Sequence, residues 1–346
     1  MRGWTVLFSA TSLCGALALA QSPSSAPVTA KAAEEVSGTL RIWGHGSRDK
    51  DYVGSLVTAW ENGFRKRYPD VRFETSLKGD KSAIGALYTG AADLAIMERE
   101  LSAIEKDGYE QIFGRTDPFE VSVATGSLDR RNHAMALVVF VHRDNPLEKL
   151  TLAQLDAIFG ADHWRGLDNI RTWGALGLAG EWVAKPINAY GFEIVEDPSQ
   201  YFQKAVMGGS QKWAGNLKEF GNLREADGSV TEAGQRIVDA LAHDRYGIAI
   251  SHMAYRTPQV KPLALAVNEG RAYYEPTRET VQSRGYPLTR TVSVYANRAP
   301  QQPLDPKVRE FLRYVLGSEG QDDVARDAGY FPLTAEVAAA ERRKTE

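Results

Sequence analysis

The chain has 346 residues, more than one hydrophobic core comfortably accommodates, so a two-domain α/β protein is the expectation. Hydrophobic residues make up 43% and charged residues 25%, a globular composition that excludes a disordered or fibrous chain. With 41 basic against 44 acidic side chains the formal net charge is -3, so no global field draws the protein to nucleic acid or to an anionic membrane.

Arg2 gives the N-terminus a positive start, Val6 to Ala20 is almost wholly apolar or small, and Ala18-Leu19-Ala20 fits a signal-peptidase site. The apolar run falls short of the ~20 residues that span a bilayer. Residues 1–20 therefore read as a cleavable export signal with cleavage before Gln21, and the mature protein is expected in the periplasm. The one cysteine, Cys14, lies inside that signal, and Thr11, Ser12 and Leu13 before it do not form a lipobox. The mature chain is thus expected to be soluble and without disulfides. Residues 21–37, rich in Ser, Pro and Ala, read as a flexible leader.

From Gly38 short β-rich runs alternate with helical stretches, the pattern of parallel sheets covered by helices. Thr39 to Trp43 predicts a strand. Val53 to Tyr68 predicts a helix with Leu56, Val57, Trp60 and Phe64 at helical spacing, ended by Pro69. A strand over Val71 to Ser76, a helix over Ser82 to Thr89 and a strand over Asp93 to Met97 complete a βαβαβ unit. Met135 to His142 is a longer apolar strand closed by Arg143-Asp144-Asn145-Pro146, and a helix over Leu150 to Phe159 follows, N-capped by Thr151. A second α/β segment places strands over Lys185 to Tyr190 and Tyr246 to Ser251, with helices over Ser199 to Met207 and Thr231 to Ala242. Val292 to Asn297 predicts a further strand, and Lys307 to Leu316 and Gln321 to Asp327 predict helices. The charged residues from Glu336 to Glu346 are expected to fray.

Seven stretches in this order carry a family resemblance: AWENGFRKRYPDV from Ala59, ADLAIMER from Ala92, LVVFVHRDNP from Leu137, LTLAQLDAIFG from Leu150, YGIAIS from Tyr246, YPLTRTVSVYAN from Tyr286, and VREFLRYVLGSEGQDDVARDAGYFPL from Val308. Together they resemble the phosphate-binding, PstS-like proteins over nearly all of Gly38 to Leu333. The resemblance implies an α/β type II periplasmic binding protein fold of two lobes, with mostly parallel sheets flanked by helices. It implies two hinge crossings, near Ala124 to Val138 and Ser251 to Tyr255. Residues 38–130 and 252–334 would form the first lobe, 131–251 the second, and 335–346 a tail.

An interlobe cleft faced by helix N-termini suits an anion, because those ends offer unpaired N–H groups and partial positive charge. Gly44-His45-Gly46-Ser47 stands where the family places its first anion loop, which makes Gly46, Ser47 and the adjacent Arg48 ligand candidates; Ser47 serves equally as an ordinary helix cap. The segment Leu77-Lys78-Gly79-Asp80-Lys81-Ser82 puts Asp80 where the family has a hydroxyl, with Lys81 beside it. After the third strand come Glu98, a candidate to accept a proton from a protonated oxyanion, and Arg99, a candidate cation or simply a surface ion-pair partner of Glu98 or Glu100. In the second lobe the family's arginine falls on Phe192 and its hydroxyl loop on Glu196-Asp197-Pro198, leaving Phe192 as an apolar wall and Ser199 as a lone donor. The family's phosphate clamp is absent at those positions, and buried unpaired charge costs several kcal/mol.

Four readings of function follow. The resemblance implies a monomeric binding protein that hands phosphate or a related oxyanion to an ABC transporter permease. The acidic residues point to the same fold holding a cationic or neutral polar solute, and the missing clamp points to a periplasmic scaffold or signalling protein that has lost its ligand. An enzyme lacks its motifs: Ser47 is not in a Gly-x-Ser-x-Gly elbow, no phosphate-binding loop is present, and the histidines at 45, 133, 142, 163, 243 and 252 show no metal-ligand spacing. No catalytic residue, cofactor or metal is therefore expected.

Overall fold

The computed structural model describes residues 36–47, 51–114, 117–299, 302–327 and 329–346. The expected export signal, residues 1–20, and the expected leader up to residue 35 lie outside the described residues. Ten strands build two sheets: β1 (Gly38–Gly44), β2 (Val71–Ser76), β3 (Leu94–Met97), β4 (Phe119–Thr125), β5 (Val138–His142), β6 (Asn188–Phe192), β7 (Leu217–Phe220), β8 (Gly247–Ser251), β9 (Val260–Pro262) and β10 (Thr291–Ala296). The first sheet has the order β2-β1-β3-β10-β4 and the second β7-β6-β8-β5-β9. Each is parallel in one half and antiparallel in the other. In the first, β1 pairs parallel with β2 and β3 while β10 pairs antiparallel with β3 and β4. In the second, β6 pairs parallel with β7 and β8 while β5 pairs antiparallel with β8 and β9.

Helices cover the faces. α1 (Gly54–Arg67), α8 (Pro306–Val315) and α9 (Ser318–Asp327) cover one face of the first sheet, where Trp60, Phe64, Phe311 and Val324 pack on Leu40, Ile42 and Val294. Phe64 meets Phe311 edge-on at 5.4 Å, and the Trp60 indole donates to the Gly320 carbonyl at 3.0 Å. α2 (Asp80–Tyr88) covers the other face through Ile84 and Leu87 against Ala95, Met97 and Tyr295. Every residue of β3, β5 and β8 is buried, which is why these strands read as continuous apolar runs. In the second lobe α4 (Leu152–Phe159), α5 (Asp197–Ala205) and α6 (Ala233–Ala242) pack around Phe140, Phe159, Phe202 and Ile237, and α7 (Arg278–Gln282) adds Val281 to the same core. Thr151 caps α4 as expected, in a capping box with Gln154.

The chain leaves the first sheet after Thr125 and enters the second at Val138. Its return differs from the sequence expectation. β9 is still an edge strand of the second sheet, and Leu263, Leu265, Val281, Tyr286 and Leu288 pack in the second lobe's core. The return therefore lies after Leu288, not at Ser251 to Tyr255, and residues 252–288 do not belong with the first lobe. A three-residue strand ending in Pro262 gives little sequence pattern, and proline is tolerated there because the strand is at an edge. The two crossings are bonded to each other, with Gly126 N–H donating to the Arg290 carbonyl at 2.8 Å and Leu137 N–H to the Leu288 carbonyl at 3.1 Å.

The sequence expectation also lacks β4, β7, β9 and helix α3 (Ala103–Phe113), which begins with a Ser102/Glu105 capping box and ends at Gly114 with φ of 63°. The segment expected to fray carries helix α10 (Ala335–Arg343). Thr334 caps it by accepting from the Val337 N–H, Ala338 is buried, and the Glu341 carboxylate accepts from the Ser122 N–H of β4 at 2.9 Å. No helix among the described residues is long and apolar enough to cross a membrane. Deleting residues 335–346 removes a cap and a charge-assisted bond, and is expected to cost on the order of 2–4 kcal/mol in urea unfolding; an unchanged midpoint would mean that α10 contributes nothing.

Candidate functional site

The carboxyl ends of five strands from the parallel halves converge on one cleft of about 710 Å³. β1 ends at His45, β2 leads into 78–82, β3 leads into Glu98 and Arg99, β6 leads into 196–198 and β8 into His252, and all of these residues line the cleft. The first crossing adds 132–135 and the second adds Arg290. Strand carboxyl ends are where open α/β sheets leave room for a ligand, because the chain turns outward there on both sides. Helices α2 and α5 begin at the cleft from opposite lobes, and neither has a side-chain cap bond at its N-terminus. Their first-turn N–H groups supply partial positive charge. Gly79, with φ of 127°, takes a backbone conformation open to glycine, which lets β2 turn sharply into α2.

Arg290 is the charge at the centre. It is 4% exposed, and its guanidinium donates to both carboxylate oxygens of Asp197, at 2.5 and 3.2 Å, with Glu100 3.6 Å away. Burial opposes the Arg290 charge, but Asp197 and Glu100 outweigh it and hold the guanidinium protonated. Arg99 is similarly committed: it donates to both Glu105 oxygens at 2.8 and 2.6 Å and stands 3.6 Å from Asp80. It is a half-buried pair with Glu105, not a surface pair with Glu98 or Glu100. Burial raises the Asp80 carboxyl against the pull of Arg99. Burial also lifts the Glu98 carboxyl well above the ordinary range, against a 2.5 Å hydrogen bond from the Tyr330 hydroxyl. His252, buried against the Phe192 ring, is pushed down to about 4 and is neutral at neutral pH, so it does not repel Arg290.

Three buried polar atoms on cleft-lining residues have no hydrogen-bond partner: Asp80 Oδ1, Glu98 Oε2 and Arg290 Nε. Such atoms are rare in folded proteins, and each is costly unless something else meets it. Among the described residues no group of three or more His, Cys, Asp or Glu side chains is placed to hold a metal ion.

Of the sequence candidates, Asp80, Lys81, Glu98 and Arg99 all line the cleft. Gly46 and Ser47 form a two-residue strand pairing antiparallel with Asp51–Tyr52, just past cleft-lining His45. Arg48 lies outside the described residues. Phe192 and Ser199 do not line the cleft, which corrects both. Phe192 is 7% exposed within the second lobe's core, and the Ser199 hydroxyl is spent on the Phe192 carbonyl at 3.1 Å, tying α5 to β6. Arg290 is the residue the sequence reading passed over. It stands in the YPLTRTVSVYAN stretch as a residue before a strand, and only folding carries it to the start of α5, where Glu196-Asp197-Pro198 had seemed to leave the cleft without a cation.

Residues 29–319 match the family described as the PBP superfamily domain. The phosphate-binding protein PstS of Pseudomonas aeruginosa is 36% identical over 307 residues, 88% of this chain and 86% of that one. The chain belongs to the PBP superfamily, among its PstS-like members. Two solved structures share its fold. PstS from Borrelia burgdorferi has a TM-score of 0.54 at 15% identity, covering 86% of this chain and 99% of that one. An ABC-type phosphate transport receptor from Vibrio cholerae has a TM-score of 0.51 at 16% identity, covering 84% and 99%. The two-lobed type II periplasmic binding fold expected from the resemblance holds, with its sheets flanked by helices but half antiparallel rather than mostly parallel.

For this PstS-like chain the raised Glu98 carboxyl has a consequence for stability. Between the ordinary carboxyl range and its folded value, the folded state holds a proton that the unfolded state has lost, so stability falls as pH rises through that window. Glu98→Gln keeps an acceptor for Tyr330 and removes the titration. Its thermal midpoint relative to the native protein is expected to rise between pH 4.5 and pH 8, and a difference constant with pH would contradict the assignment.

Proposed function

We propose that the protein is an exported, periplasmic solute-binding protein, not an enzyme. It captures phosphate or a closely related oxyanion between its lobes and delivers it, as a monomer, to an ABC transporter permease. The observation that carries this reading is the trio of unpartnered buried atoms at the cleft, one fixed donor on Arg290 and two carboxyl oxygens on Asp80 and Glu98. A partly protonated oxyanion satisfies all three at once, accepting from Arg290 Nε while exchanging O–H hydrogen bonds with the two carboxyl groups. A fully ionised oxyanion can accept from Arg290 and from a protonated carboxyl but has no proton for one that is ionised, and a simple cation leaves Arg290 unsatisfied. Of the carboxylates that the sequence set against an anion, Asp197 is engaged with Arg290, which Glu100 balances further, while Glu105 balances Arg99.

The name of the Pseudomonas relative, a phosphate-binding protein, supports the same ligand class. Within this reading Gly46, Ser47 and Arg48 stay ligand candidates, Lys81 supplies further positive charge, and the N-termini of α2 and α5 face the anion from the two lobes.

Calorimetric titration of the protein from Gln21 onward is expected to show phosphate binding and little or no sulfate binding at neutral pH. Arg290→Lys keeps a cation for Asp197 but loses the Nε donor, and is expected to weaken phosphate by roughly 10- to 100-fold, the size of one hydrogen bond to a charged group. Silence toward phosphate with heat from an amine or sugar would move the function to another solute, and silence throughout would leave a scaffold.

A further inference from the structure

A second interlobe groove of about 540 Å³ adjoins the charged cleft. Leu101 and Ile104 line it from the first lobe and Ile194, Val195 and Tyr201 from the second, and Asp197 lines both spaces. Leu101 and Tyr201 are buried, at 6% and 8% exposure, whereas Ile104 and Val195 are exposed at 79% and 70%. An isoleucine in the first turn of α3 and a valine just ahead of α5 face solvent at a spot where neither supports a core, so their side chains have no packing role in the lobes themselves. At the inner end the Arg290 guanidinium lies 5.0 Å over the Tyr201 ring. The groove's two inner carboxylates, Glu100 and Asp197, are both turned to that guanidinium.

A molecule anchored by an oxyanion at Arg290 therefore has beside its head a groove with aliphatic walls, although Lys106, Lys204 and three glutamines line it too. Inorganic phosphate would leave that groove empty. We infer that the protein takes oxyanions carrying a short apolar substituent, alkyl- or arylphosphonates and phosphomonoesters, with the substituent lying between Ile104 and Val195. This inference rests on the oxyanion reading and narrows it.

The test is calorimetry with phosphate, methylphosphonate, butylphosphonate and phenylphosphonate, on the native protein and on the double variant Ile104→Ser with Val195→Ser. Both residues are exposed, and serine adds no charge beside the anion. Each methylene buried in the groove adds roughly fourfold in affinity, so butylphosphonate is expected to bind at least about tenfold more tightly than methylphosphonate. The double variant is expected to abolish that ratio and leave phosphate within about twofold of the native value. Equal affinities for methyl- and butylphosphonate, with phosphate bound, overturn the inference and leave the oxyanion reading standing. Phosphate weakened in the double variant as much as butylphosphonate also overturns it, because the aliphatic rims then serve closure of the lobes. No heat from phosphate or any phosphonate overturns both readings.

Discussion

A guanidinium buried between two lobes must be balanced from its surroundings, and the architecture of the cleft follows from how Arg290 is balanced. Removing two opposite charges from water costs several kcal/mol for each, and the cost is recovered only with close, well-directed partners. Asp197 from the second lobe supplies two hydrogen bonds and Glu100 from the first lobe supplies further negative charge. The same residue binds the crossings together, because its carbonyl accepts from Gly126 N–H. A β-carbon on Gly126 would stand 2.1 Å from the Ala134 carbonyl oxygen, so only glycine lets the first crossing fold back so tightly. The site's central charge and the point where the lobes join are thus one piece of structure.

Around that piece the two sheets act as platforms. Their parallel halves direct the carboxyl ends of β1, β2, β3, β6 and β8 toward a common space, and their antiparallel halves carry the chain between lobes. The charges on this space are arranged in pairs, Arg290 with Asp197 and Arg99 with Glu105, while Asp80 and Glu98 are kept from easy ionisation by burial. Net charge is therefore a poor guide to what the cleft attracts. What remains for a ligand is a small set of directed, unpartnered atoms, and such atoms discriminate by the number and placement of protons on the ligand rather than by its charge alone.

Much of the fold was legible in the sequence because its elements have local causes. Leu56, Trp60 and Phe64 at helical spacing mark α1, the apolar runs of β5 and β8 mark strands covered on both faces, and Thr151 with Gln154 marks the start of α4. The order of family-like stretches extended this to two lobes. Of the site, the loop residues Asp80, Lys81, Glu98 and Arg99 were legible because they follow recognisable strands. Arg290 was not, since its partner Asp197 is 93 positions away and nothing near Thr289 or Thr291 marks a buried charge. Ser199 and Phe192 misled for the converse reason: a helix-start serine and a strand-end aromatic look available in sequence, but folding spends them on each other. The second crossing and α10 depended on contacts of Pro262, Leu288 and Glu341 with strands far away in the chain.

The central claim is that the unpartnered Nε–H of Arg290 is the donor that holds the solute. Nitrogen–proton correlation spectra of the arginine Nε–H groups test it most directly, with the Arg290 resonance assigned by its absence in Arg290→Lys. On addition of phosphate, and not of chloride at equal ionic strength, that resonance is predicted to move to the position of a strong charge-assisted hydrogen bond. An Arg290 resonance unmoved at phosphate saturation would contradict the account and place the anion elsewhere.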